Sequence, residues 1–156
     1  MSNKHLLVYF SFSGNIKSLI PMFENQLSID IARLESMIPY PKEVNEFNKR
    51  YLKEMDNLLC PEYKELSINL ENYDTIFLLV PNWGDAFPPV VRTFLKNNDF
   101  YGKNIIPFIS FERNKESKIA NDIVATAPGS NVTESLVFEA NNLTENDLKL
   151  FLEKVL

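Results

Sequence analysis

The chain has 156 residues, 45% hydrophobic and 24% charged, the balance of a folded globular protein and not of a disordered one. Sixteen basic residues against 21 acidic ones leave a net charge of −5, which speaks against nucleic acid as a partner, because phosphate-backbone binding needs a basic face. One cysteine (Cys60) excludes an intramolecular disulfide, and one histidine (His5) argues against a metal cluster or a His-based triad.

The length predicts one domain over residues 1–156. After Lys4 and His5 the first apolar run is only Leu6 to Phe10, too short for the core of a secretory signal. No segment approaches the length of a transmembrane helix, so no membrane contact and a cytoplasmic location are expected. Residues 5–10 (HLLVYF) read as a strand buried on both faces. Residues 15–26 read as a helix, and 29–36 as a strand. Residues 43–59 read as a longer helix with Val44, Phe47, Tyr51, Met55 and Leu58 on one apolar stripe. Residues 60–74 are irregular. Residues 75–80 (TIFLLV) form the second wholly apolar strand, 81–87 a loop, and 88–96 a helix opened by Pro88-Pro89. Residues 104–110 predict a strand with Pro107 inside it, an awkward residue for a central position. A loop at 111–116, a helix at 117–126 and a strand at 132–139 follow. A last helix runs from Thr144 to Leu156, where Thr144 and Asp147 have capping-box spacing.

Five β-α units in succession predict a parallel sheet covered by helices on both faces. Ligands of such sheets bind beyond the carboxyl ends of the strands, where the strand order reverses. Three loops leave those ends: 11–16, 81–87 and 111–116.

The first loop reads Ser11-Phe12-Ser13-Gly14-Asn15. Unpaired backbone N–H groups at a helix start favour an anion, two hydroxyls add donors, and glycine lets the backbone approach a ligand. The same residues also suit an ordinary β-α turn in which Ser13 caps the helix. GxxxxGK[ST] and GxGxxG are both absent. The first and third strands end in Ser11 and Pro81, not in the acids of a phosphoacceptor, and Cys60 is far from the position of a phosphatase nucleophile.

Ser11-Phe12-Ser13-Gly14-Asn15 resembles the phosphate loop of flavodoxins, [ST]-x-[ST]-G-N-T. The stretches "IPYPKEVNEFNKR", "ENYDTIFLLVPNWGDAFPPVVRTFL" and "DFYGKNIIPF" are similar to short-chain flavodoxins in order and spacing. The resemblance implies a three-layer α/β sandwich with a five-stranded parallel sheet of order 2-1-3-4-5, and FMN as a non-covalent cofactor. It further implies that Ser11, Ser13, Gly14, Asn15 and the amide of Ile16 hold the phosphate. Pro81, Asn82, Trp83, Gly84 and Asp85 would border the ring system, with Trp83 against its plane or serving as a half-buried anchor. Asn82, Gly84 and Asp85 would meet the N5 edge, Gly84 allowing the peptide rotation that accompanies reduction in the family. Arg92, in the next helix, is read as a pairing residue and not a catalytic one.

Two departures from the family pattern stand out. Ile16 replaces a threonine and removes a hydroxyl. The third loop, Ser110 to Ser117, has no glycine. Phe111 would then supply a second wall for the ring next to Ser110, and Arg113 or Lys115 would raise the reduction potential, unless that turn is simply solvated. The expected function is FMN-dependent electron transfer, either as a carrier between protein partners or as a reductase taking hydride from NAD(P)H and passing it to a quinone-like acceptor. The alternative is a module of the same fold that has lost flavin and binds a partner.

Overall fold

Runs of apolar residues with no alternation form the centre of the sheet, because a strand covered on both faces must be apolar on both. The computed structural model describes residues 4–113, 115 and 118–156. Strand β1 (His5–Tyr9) lies between β2 (Asp30–Arg33) and β3 (Thr75–Pro81), and β4 (Asn104–Phe111) lies beyond β3. All pairs are parallel; Leu7 stands opposite Ile31 on one side and Phe77 on the other. Two further short strands, β5 (Asn131–Val132) and β6 (Leu136–Glu139), both pair with β4. The order is β2-β1-β3-β4-β5, with β6 continuing the outer edge.

Successive residues of each strand enter opposite cores. Leu7, Tyr9, Phe77, Leu79 and Phe108 pack against Phe23 of α1 (Ile20–Gln26) and against Leu148, Phe151 and Leu152 of α5 (Glu145–Val155). Leu6, Val8, Ile76, Leu78 and Ile109 pack on the other face. They meet Val90, Val91 and Phe94 of α3 (Pro89–Asn97), Ile119 and Ile123 of α4 (Ile119–Thr126), and Phe47 of α2 (Val44–Asp56). Thr144 and Asp147 form the expected reciprocal cap of α5. No described helix is long and apolar enough to cross a membrane.

The bounds of five expected elements are corrected. The last strand is not continuous: β5 and β6 are separated by residues 133–135, three residues facing the two of β4 between Ile105 and Phe108, which is a bulge. Pro107 explains its position. Ile105 accepts from the Thr133 N–H at 3.0 Å and Phe111 from the Ala140 N–H at 2.8 Å, so alternation turns the Pro107 backbone to the same side. That is where the neighbouring strand is interrupted, and the missing N–H leaves no ladder partner stranded. The expected parallel order 2-1-3-4-5 stands, and the division of the last strand adds β6 beside β4 as a sixth. The first helix begins late. A 3-10 turn covers Lys17–Leu19 and α1 starts at Ile20, because Pro21 has no N–H and fits only the first turn of an α-helix. Helix α2 is shorter than residues 43–59, and both ends of its stripe face outward, with Val44 68% and Leu58 67% exposed. β2 is half the length of residues 29–36. Helix α4 begins at Ile119; Ser117, predicted as its first residue, lies outside the described residues, as do Asn114 and Glu116 of the preceding loop.

Candidate functional site

The chain leaves β1 toward β2 on one side and reaches β3 on the other, so the order reverses at β1 and β3. A cleft of about 660 Å³ opens there, a volume typical of small-molecule sites. Ser11, Ser13, Asn15 and Ile16 line it from the first turn, Pro81 to Asp85 from the end of β3, and Ser110 from β4. Of the residues expected from sequence to hold the phosphate or border the ring, all but Gly14 and Phe111 are among the lining residues. Phe111 lies between Ser110 and Glu112, which both line the cleft, and neighbours along an extended chain alternate sides. The further aromatic residues that line the cleft are Phe12 of the first turn and Phe47 and Tyr51 of α2, on the same side as Trp83, with Asn48 beside them.

In the first turn, Gly14 has φ +89°, and a Cβ built there meets nothing within 4 Å; the glycine is needed for backbone conformation and not for space. The turn is closed by Ser18, whose hydroxyl donates to the Asn15 carbonyl at 2.6 Å and whose N–H reaches the Gly14 carbonyl at 3.3 Å. Since α1 begins only at Ile20 and has seven residues, helix-dipole attraction for an anion has little to act through. The amides and hydroxyls of the turn remain. Ser11 is 9% exposed, and its Oγ is shielded from solvent with no hydrogen-bond partner among the described residues. An orphaned buried hydroxyl is costly, and an acceptor entering the turn would relieve it. Ile16 is 4% exposed and packs with Leu7, Leu19 and Phe23, so the methyls that replace a threonine serve as a core anchor under the turn.

In the second loop, Trp83 is both anchor and wall. Phe10, Phe12, Tyr40, Phe47 and Tyr51 meet it near perpendicular, with centroids 5.0–6.0 Å away and interplanar angles of 77–88°. Gly84 (φ +59°) and Asp85 (φ +66°) are consecutive left-handed residues, and the Trp83 N–H closes the turn on the Ala86 carbonyl at 2.8 Å. Asn82 ties this turn down, its N–H donating to the Ser110 carbonyl and its Oδ1 accepting from the Asp85 N–H, both at 2.8 Å. The Asp85 carboxylate accepts from the Lys118 N–H at 2.9 Å, at the cap of α4. Asp85 thus joins two loops, and its side chain is committed to the protein. The Tyr51 hydroxyl donates to the Trp83 carbonyl at 2.5 Å, and burial pushes its pKa up, so it stays a neutral donor.

Helix α2 was legible in sequence as an amphipathic helix but not as a wall of the site. A network beneath it holds it there. Arg50 Nε donates to Glu54 at 3.0 Å, and the Tyr40 hydroxyl donates to the other Glu54 oxygen at 2.6 Å. Arg50 also donates to the Ile38 and Pro39 carbonyls and to Ser36 Oγ. Burial, followed by the bond to Glu54, pushes the Tyr40 hydroxyl well above the ordinary tyrosine range. From the third loop, Glu112 and Arg113 both line the cleft, so opposite charges stand together; Lys115 is exposed and not among the lining residues. Arg92 donates to the Leu59 carbonyl at 3.1 Å, a structural bond outside the cleft.

A family model described as Flavodoxin matches residues 4–155. No curated protein matches the chain. Among solved structures, a Bacteroides eggerthii DSM 20697 protein, provisionally described as a flavoprotein, is 23% identical with a TM-score of 0.87, covering 99% of this chain and 98% of its own. A flavoprotein in complex with FMN from Lactobacillus acidophilus NCFM is 19% identical with a TM-score of 0.73, over 90% of this chain and 95% of its own. Oxidised flavodoxin 2 from Bacillus cereus is 21% identical with a TM-score of 0.57, over 97% of this chain and 99% of its own. At these identities the likeness is one of fold, whereas the family model spans nearly every residue. The chain belongs to the flavodoxin family.

Proposed function

We propose that the cleft binds FMN and that the chain works in electron transfer or flavin-dependent reduction. The observation that carries this reading is the buried Ser11 hydroxyl, a donor with no partner among the described residues, in a turn that opens on the same cleft as Trp83. The donor set fits the cofactor. Ser11, Ser13, Asn15 and the amides around Gly14 would hold the phosphate, and Trp83, Asn82, Gly84, Phe12, Phe47 and Tyr51 would border the ring system. FMN bound to another protein of this fold supports the same assignment. The cofactor, when bound, supplies the redox chemistry, so the chain needs no acid-base pair of its own. Its residues bind the phosphate, orient the ring and exclude water from one face through the Trp83 aromatic cluster. A protein partner, or NAD(P)H with a quinone-like acceptor, would exchange electrons at the open edge.

A second reading, a flavin-free module that binds a partner, draws on Ile16, whose side chain fills the core where the family pattern places a hydroxyl. One titration separates the two. Trp83 is the only tryptophan of the chain, so its emission reports on the cleft alone. Saturable quenching of both Trp83 and FMN fluorescence on mixing is the outcome expected for a flavoprotein. No change in either at tens of micromolar FMN would leave the flavin-free reading standing. With flavin bound, reduction by NADH or NADPH in stopped flow, followed by assays with several quinones, distinguishes a reductase from a carrier.

A further inference from the structure

We propose that the packing of Phe12 against Phe47 joins the first turn to the α2 wall, and that this pair sets how strongly the chain prefers FMN to riboflavin, although neither ring has a donor to offer a phosphate. The inference rests on the FMN reading of the cleft.

The first half of the turn has no hydrogen bonds of its own. The Phe10 N–H still donates to the Leu79 carbonyl of β3, at 3.1 Å. Beyond it, Ser11, Phe12 and Ser13 make no hydrogen bond among the described residues, through backbone or side chain. The ties resume at the Gly14 and Asn15 carbonyls, both held by Ser18. A stretch of backbone without hydrogen bonds keeps one conformation only if its side chains hold it, because conformational entropy otherwise spreads it.

Phe12 supplies that hold. Its ring packs on Phe47 of α2 with centroids 5.1 Å apart and meets Trp83 edge to face at 5.9 Å. Phe47 in turn meets Tyr40, Tyr51 and Trp83, and its helix is fixed from below by Arg50 and Glu54. The residue between the two serines is free to vary in the pattern [ST]-x-[ST]-G-N-T, and a large aromatic there becomes an anchor. With the side chain clamped to a rigid body, the two planar peptides that meet at Phe12 have little room to rotate. Those peptides carry the N–H groups of Phe12 and Ser13.

Donors that already point into a site bind more tightly than donors that must first be ordered. The N–H groups of Phe12 and Ser13 are unpaired among the described residues, and Ser11 and Ser13 line the cleft on either side of Phe12. Loosening Phe12 therefore weakens recognition of a phosphate. Riboflavin has the same ring system and no phosphate, so a loosened turn leaves its binding unaffected. Phe12 and Phe47 are positioning residues: they act through the backbone of the turn.

Titrations of FMN and of riboflavin, read by flavin fluorescence, test this on the unmodified chain, Phe12→Ala, Phe47→Ala and the double variant. The ratio of riboflavin to FMN dissociation constants is expected to fall about tenfold in Phe12→Ala, the equivalent of ordering roughly one backbone residue on binding. Phe47→Ala should lower the ratio too, and the double variant should lie no lower than Phe12→Ala, because the two rings act as one contact. Where a thermal melt shows an alanine variant to be unfolded, leucine replaces alanine, with the same direction and a smaller fall expected. An unchanged ratio, whether both ligands weaken equally or neither does, would mean that the rings only line the cleft and would overturn the inference. A ratio lowered by Phe12→Ala and untouched by Phe47→Ala would overturn it as well, since the turn would then be held without α2. Failure of the unmodified chain to bind FMN, or equal affinity for FMN and riboflavin, would instead remove the reading beneath it, and shows before any variant is compared.

Discussion

Arg50 lays its guanidinium over the ring of Tyr40, 3.8 Å from the centroid, while both side chains bond the same carboxylate of Glu54. Glu54 is only 6% exposed, so its charge is tolerated solely because both oxygens are occupied. Arg50→Met should therefore destabilise the fold by about 3 kcal/mol, since it leaves a buried charge uncompensated. The Arg50→Met, Glu54→Leu double substitution should recover most of that loss, because the pair is then replaced and not broken. Urea denaturation of both variants checks the order. Equal losses in the single and double variants would count against the pairing argument.

Ser11 predicts effects of opposite sign with and without ligand. In the free chain its hydroxyl is buried with no partner among the described residues, so Ser11→Ala should leave stability unchanged or raise it by up to ~1 kcal/mol. With FMN the same substitution removes a hydrogen bond to a charged phosphate, worth about 1.5–3 kcal/mol, and affinity should fall roughly tenfold to a hundredfold. Thermal melts in the presence and absence of FMN read both effects in one experiment. Ile16→Thr is the converse. It restores the hydroxyl of the family pattern and should strengthen FMN binding, but it exchanges a buried apolar side chain for a polar one and should cost about 1–3 kcal/mol in the free chain.

Tyr73 gives the alkaline edge of stability. Its hydroxyl donates to the Asp30 carboxylate at 2.5 Å, and this bond, with burial adding to it, pushes its pKa up to about 12. The unfolded chain releases that proton near pH 10, so between the two values the folded state holds more protons than the unfolded one. Stability is then lost as pH rises from about 10 toward 12 and is fully present below. Tyr73→Phe should flatten this part of the profile in denaturation midpoints measured from pH 9 to 12. An unchanged slope would assign the alkaline loss to other groups.

What could be read from the sequence follows from which interactions are local. The strands at 5–9 and 75–81 were legible because burial on both faces leaves an uninterrupted apolar run. The first turn was legible because Gly14 and its hydroxyl neighbours are adjacent in the chain. The α2 wall was not. Phe47 and Tyr51, four residues apart, look the same in a helix whether they face a core or a cleft, and only the fold shows that they do both. Phe111 was misplaced because alternation at a strand end depends on where the strand stops, which no local signal gives. The break between β5 and β6 was hidden for a similar reason. Its cause, Pro107, belongs to a different strand.

Glu112 and Arg113 carry the last prediction. Both line the cleft, and they bear opposite charges, so neither alone sets the field that a bound flavin would meet. Reduction adds negative charge to the ring, which a nearby cation stabilises and a nearby anion opposes. A unit charge several ångströms away near a protein surface contributes on the order of 1 kcal/mol, about 20 mV for a two-electron couple. Arg113→Gln should therefore lower the midpoint potential of bound FMN, and Glu112→Gln should raise it by a similar amount. The double variant should lie close to the unmodified chain. The shifts should shrink as salt is raised from 0.05 to about 0.5 M, because exposed charges are screened. Potentials measured across that salt series check both sign and origin, and shifts of the same sign in the two single variants would place the loop's charges outside the field of the ring.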